Sequence, residues 1–175
     1  GGNAYSKKSV EKIFKLKGRS RSNPLIIHYY NLDNAIKDIS INKNLIKLYN
    51  HFCPGPITFI LKRKENSKVQ PMACANLDSI AIRFPKHKVI RPLLKKIKFP
   101  LAMPSANKTS NVSPVKASDV FEEFKSKVKY ILDGGNSKIG IESTVIDLTG
   151  SPQILRPGII SKKEVEEVLK LKIKN

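Results

Sequence analysis

An α/β fold with a mixed sheet is predicted for this chain of 175 residues by three features of its sequence. Short apolar runs bounded by Pro or Gly alternate with amphipathic stretches from one end to the other. No internal repeat divides the chain. No linker-like segment interrupts it, so residues 1–175 read as one domain with a single core.

The elements follow in order. Val10, Ile13, Phe14 and Leu16 form a helical stripe from Ser6 to Lys17, and Gly18 is placed to end it. Pro24 to Tyr29 is an apolar run that reads as a strand, followed by two short helices over Asp33–Ile39 and Asn42–Phe52. Pro54-Gly55-Pro56 makes a rigid turn into the strand Ile57–Lys62, and the polar stretch Arg63–Leu77 is a loop. Ser79–Arg83 is a strand and His87–Lys96 a helix. Pro100–Pro104 is a strand that breaks into Ser105-Ala106-Asn107. Ser118 can cap a helix to Lys125, and strands follow at Tyr130–Leu132, Thr144–Leu148 and Gln153–Leu155. Ser161 with Glu164 forms a capping box for the last helix, to Lys170.

Composition narrows the partners. Lys and Arg number 33 against 14 acidic residues, a formal charge of +19. Such an excess is compensated by an anionic partner, or it reflects AT-rich coding in a chain equally rich in Asn and Ile. No apolar stretch approaches the roughly 20 residues of a membrane-spanning helix, and residues 1–5 carry no signal core, so a cytoplasmic chain with no membrane partner is expected. Cys53 and Cys74 stand 21 positions apart without a CxxC pair or clustered His, and read as free thiols rather than a metal site.

Three loops carry groups suited to anions. Lys17-Gly18-Arg19-Ser20-Arg21-Ser22-Asn23 puts three cations within five residues at a helix end, either for phosphate or simply as a solvated terminus. Pro104-Ser105-Ala106-Asn107, with Ser110, Asn111 and Ser113 behind it, sets small polar residues at a strand end, as a ligand loop or a plain turn. Gly134-Gly135 through Gly140-Ile141-Glu142-Ser143-Thr144, then Leu155-Arg156-Pro157-Gly158, allows close backbone approach to a ligand. Neither of the common glycine-rich phosphate-loop patterns is present.

Six motifs in order raise these weak signals together. They are Lys17-Gly18-Arg19 with Asn23-Pro24-Leu25, Pro54-Gly55-Pro56-Ile57-Thr58, Ile82-Arg83-Phe84-Pro85, Pro104-Ser105-Ala106-Asn107, Glu142-Ser143-Thr144-Val145 and Leu155-Arg156-Pro157-Gly158. In this order the sequence resembles the YrdC-like family over essentially all of its length, with K-x-R and S-x-N as the diagnostic pair. The resemblance implies a twisted, open α/β sheet with flanking helices and a deep basic cavity. It implies an activity that joins L-threonine, bicarbonate or CO2, and ATP into threonylcarbamoyl-AMP and pyrophosphate, with Mg2+ assisting. The product would pass to a tRNA threonylcarbamoyl transferase complex.

By motif position, Lys17, Arg19, Asn23, Ser79, Ser105, Asn107, Ser113 and Arg156 are expected on the nucleotide, with Lys17 and Arg19 as the catalytic cations. His28, Arg83, Met103 (through its backbone) and Ser143 are expected around threonine. No general-base carboxylate is prominent, which fits catalysis by positioning and charge. Taken by itself, His28 in an apolar strand also fits a core histidine, and Thr58 a purely structural role. His51 and His87 receive no role, and Lys95-Lys96 and Lys162-Lys163 read as solvated helix faces. The family's first strand and helix, with a P-T-E-T-like motif, have no counterpart ahead of Gly1. That departure and the +19 charge motivate an alternative, a non-catalytic module of the same fold that binds tRNA or duplex RNA. A third reading, carbamoyl-adenylate chemistry for metal-centre assembly, belongs to longer multidomain chains.

Overall fold

A computed structural model describes residues 1–137 and 140–173. Strand β1 (Gly2–Asn3) leads into helix α1 (Lys7–Lys17), which Ser6 caps at Ser9 N–H and Gly18 ends in the left-handed conformation, φ 60°. Strand β2 (Ile27–His28) is followed by the one-turn helix α2 (Leu32–Ala35) and by α3 (Lys43–Phe52), capped by Asn31 and Asn42. Then come β3 (Ile57–Lys62), a 3-10 turn (Pro71–Cys74), β4 (Ser79–Arg83), α4 (Ile90–Lys96) and β5 (Leu101–Ala102). Helix α5 (Ala117–Phe124), strands β6 (Thr144–Asp147) and β7 (Gln153–Arg156), and helix α6 (Lys162–Leu169) complete the chain.

The seven strands form one open sheet in the order β1-β5-β2-β4-β3-β6-β7. The pairs β2–β4 and β3–β6 are parallel and the rest antiparallel, so the mixed α/β expectation holds. Central strands are apolar where the sheet is covered: Ile57, Phe59 and Leu61 of β3 and Ile82 of β4 are fully buried. Leu45 and Leu48 of α3 and Val165 and Leu169 of α6 join the same core. In β4 burial alternates, so Ile80 and Ile82 face the core while Ala81 and Arg83 are only partly covered.

Four expectations are corrected. Tyr130–Leu132 is not a strand: Tyr130 is 79% exposed, and among the described residues no strand pairs with the run. The β2 segment pairs only at Ile27–His28, because β2 meets β5 and β4 over that short overlap. Helix α4 starts at Ile90 rather than His87, without a capping side chain. Helix α5 starts at Ala117, and Asp119, not Ser118, closes its first turn by accepting from Val115 N–H (2.9 Å) and Lys116 N–H (3.1 Å). The Ser161–Glu164 capping box is present as expected.

Candidate functional site

Register assembles the site. His28 of β2 lies beside Arg83 of β4, Arg83 beside Thr58 of β3, Thr58 beside Val145 of β6, and Val145 beside Arg156 of β7. Directly opposed residues in paired strands project to the same face. Strands lie about 4.8 Å apart, so this row runs roughly 19 Å across one end of the sheet. A cavity of about 1190 Å³ opens at the His28–Arg83 end of this row, lined by His28, Gly55, Arg83, Met103, Ser105 and Ser113 among others.

The Pro54-Gly55-Pro56 turn shapes its floor. A Cβ at Gly55 would stand 2.0 Å from the Phe52 carbonyl oxygen, so only glycine fits. The Gly55 carbonyl in turn accepts from Arg83 Nε at 3.4 Å. Burial, and then the Arg156 charge, pull Arg83 below the usual arginine range. Among the described residues the ion pairs are Arg156–Glu142 and Lys172–Glu166, so Arg83 is not paired with a carboxylate. A half-buried guanidinium in that condition is a receptor for an anion.

His28 is buried, and its Nδ1–H donates to the Ile26 carbonyl at 3.1 Å. Burial first, then Arg83, push the imidazole down to about 3, so the ring is neutral at physiological pH. Met103 N–H is spent on Ile26 O (3.2 Å), which leaves its carbonyl as the main-chain group that could meet a ligand. Ser143 is 3% exposed, and its hydroxyl lies 2.9 Å from that of Thr58.

The nucleotide-side residues stand behind and beside the wall. Lys17 is 5% exposed and donates to the carbonyls of Ser105 (2.6 Å) and Asn107, fixing the Ser105-Ala106-Asn107 loop to the end of α1. Burial, followed by Arg19, lowers its ammonium below the usual lysine range. Arg19 donates to the Asn23 carbonyl (3.0 Å), the Pro24 carbonyl (2.9 Å) and the Asn23 side-chain oxygen, so the 18–23 turn is tied by its own cation. Asn107 donates to Asn111 O at 2.6 Å, while its buried Oδ1 has no partner. An orphaned acceptor in this position suits a donor on a ligand.

Arg156 is held by Ser143: Nε and Nη2 donate to the Ser143 carbonyl (3.1 and 3.0 Å), and Nη2 also to its hydroxyl (3.1 Å). Nη1 pairs with Glu142. Gly158 permits this packing, since a Cβ there would fall 2.4 Å from Thr144 N. The Glu142 charge reaches Arg19 and Arg83 as well, so the three arginines share one electrostatic neighbourhood.

Of the residues expected from the sequence, His28, Arg83, Met103, Ser105 and Ser113 line the cavity, while Lys17, Arg19, Asn23, Ser79, Asn107, Ser143 and Arg156 are not among its lining residues. Ser79 opens β4 opposite Lys62, four residues and roughly 13 Å from Arg83. Of the loop 134–144, positions 138 and 139 lie outside the described residues. Two participants had no role from the sequence: Glu142, the carboxylate among the arginines, and His87, which lines the cavity against Gly134. Glu142 was visible as the acidic member of its motif; nothing marked His87.

These features define an α/β protein with an open mixed sheet and a cavity lined by cations at its strand ends. A family model for Sua5, YciO and YrdC domains, described as telomere recombination, matches residues 1–158, and the chain belongs to this family. It is 40% identical over 173 residues to the threonylcarbamoyl-AMP synthase of Pyrococcus abyssi, covering 97% of this chain and 50% of that one. It is 36% identical over 172 residues to the Bacillus subtilis enzyme of the same name, covering 97% and 49%. The structure of P. abyssi Sua5 complexed with L-threonine superposes with a TM-score of 0.93 at 38% identity, covering 99% of this chain and 52% of that one. The chain thus spans about half the length of these relatives. Among the described residues no helix is long and apolar enough to cross a membrane.

Proposed function

We propose that this chain holds the substrate site of an L-threonylcarbamoyladenylate synthase, a nucleotidyltransferase that makes threonylcarbamoyl-AMP and pyrophosphate from L-threonine, bicarbonate or CO2, and ATP. The observation that carries the reading is Arg83, a half-buried guanidinium facing the cavity without a carboxylate partner among the described residues. Its neighbour in register is the neutral His28. Relatives named for this activity, and the threonine complex of P. abyssi Sua5, support the choice of substrates.

In this reading Arg83 grips the threonine carboxylate bidentately, the Met103 carbonyl faces the ammonium, and Ser143 with Thr58 borders the side chain. Lys17, Arg19, Asn23, Ser105, Asn107, Ser113 and Arg156 surround the nucleotide; Ser79 is left out. Carbamate oxygen attacks the α-phosphorus, the bond to the pyrophosphate bridge breaks, and charge gathers on the leaving group. Fixed cations already in place stabilise that charge without reorganising. Among the described residues no group of three or more His, Cys, Asp or Glu lies together in a way that could hold a metal ion. Mg2+ belongs to the proposal only as the ion that accompanies a triphosphate. The product would be consumed by a transferase acting on tRNA.

Net charge is one of the two grounds for the RNA-module alternative. Arg83 and Lys17 are recessed, where duplex phosphates do not reach, and this favours a small anion. The test is pyrophosphate release from ATP with L-threonine and bicarbonate. Release that needs threonine supports the synthase; salt-sensitive duplex binding without release supports the module.

A further inference from the structure

The carboxylate set among these guanidinium groups has no part in the scheme above. Glu142 is 55% exposed along its side chain, and its partner is Nη1 of Arg156. The two halves of this pair are anchored very differently. Arg156 is fixed by three further hydrogen bonds to Ser143, through Nε and Nη2. Ser143 is itself buried and bonded to Thr58. The guanidinium therefore keeps its place without Glu142. The glutamate has several rotatable bonds and water on one side, and an exposed ion pair of this kind breaks at small cost. Nη1 is the edge of Arg156 turned away from its main-chain anchors.

We propose that Glu142 is a placeholder counter-ion: with no ligand it occupies the anion position at Arg156 Nη1, and an incoming phosphate group displaces it and takes that N–H. The identity of the phosphate carrier rests on the synthase reading; the displacement does not. Glu142 then acts on specificity. It sets a threshold that orthophosphate, with one small anionic group, fails to cross. A polyphosphate crosses it by drawing on several cations at once. The returning carboxylate also competes with bound pyrophosphate and hastens its release.

The test is calorimetric titration of the full chain with sodium pyrophosphate and with sodium orthophosphate at about 0.1 M salt, where exposed charges are partly screened. E142Q keeps the size of the side chain and removes its charge. Pyrophosphate is expected to bind E142Q about three- to tenfold more tightly than wild type, and orthophosphate to gain measurable affinity. Adding R156Q to E142Q is expected to cancel the gain. Equal or weaker pyrophosphate binding by E142Q overturns the proposal, as does a gain that survives in the double variant. If E142Q gains on pyrophosphate while wild type shows no threonine-dependent turnover of ATP, the placeholder stands and the synthase reading falls.

Discussion

The Lys17 ammonium, in the last turn of α1, donates a 2.6 Å hydrogen bond to the carbonyl of Ser105, 88 positions further along the chain. This bond and its companion to Asn107 O join the K-x-R turn to the S-x-N loop, so two motifs far apart in sequence form one wall. Lys17→Met keeps the buried stem and removes both bonds. Hydrogen bonds to a charged group contribute about 1.5–3 kcal/mol, so ATP affinity is expected to fall about 10- to 100-fold. Titration calorimetry checks this; an unchanged affinity would place the wall's anchor elsewhere.

Arg83 separates charge from shape. Arg83→Lys retains a cation but loses the planar fork. KM for L-threonine is expected to rise about tenfold or more, while KM for ATP stays within about twofold. Equal effects on both substrates would mean that Arg83 does not discriminate between them.

His28 makes a prediction about pH. Its folded-state value, near 3, lies below the 6.5 of an unperturbed imidazole. Between those values the unfolded chain binds a proton that the folded chain refuses. The stabilisation is therefore full above about pH 6.5 and is lost as the pH falls toward 3, at up to about 1.4 kcal/mol per pH unit. Denaturant titrations of wild type and His28→Asn over this range check it: the difference in stability between them should shrink as the pH drops. A constant difference would show that His28 carries a proton in the folded state.

The sequence carried the fold where pattern and punctuation agree. The strands β3 and β4 stood out because apolar residues sit between a Pro-rich turn and polar loops, and Ser161 with Glu164 marked α6. Tyr130-Ile131-Leu132 misled because an apolar run reads the same whether it pairs in a sheet or lies along a cavity rim; Ile131 and Leu132 do the latter. The two-residue β1, half of it glycine, had no pattern to read. For the site, motif order supplied residue identities, but only register shows that His28, Arg83 and Arg156 share a row. Register also puts Ser79 on the same strand as Arg83 but at its other end. Glu142 was passed over because a sequence does not say which charges meet.

Asp38 tests the scaffold behind β2. It is 1% exposed and accepts from Tyr5 OH (2.7 Å), Tyr29 OH (3.0 Å), Ser67 Oγ (2.8 Å) and Lys68 N–H (3.2 Å). Burial, with Asp38 adding to it, holds both tyrosine hydroxyls above their usual range. Asp38→Ala leaves these donors buried without an acceptor and is expected to cost about 3–5 kcal/mol of stability. Urea unfolding measures it, and a loss under about 1 kcal/mol would mean that water replaces the carboxylate.

One structure determination bears most directly on the claim that a single cavity holds both substrates: the chain crystallised with a non-hydrolysable ATP analogue and L-threonine. The threonine carboxylate is expected within hydrogen-bonding distance of the Arg83 guanidinium, with the α-phosphate beside Arg156 and the Ser105–Asn107 loop. Threonine and nucleotide found on separate surfaces, or threonine away from Arg83, would contradict the account.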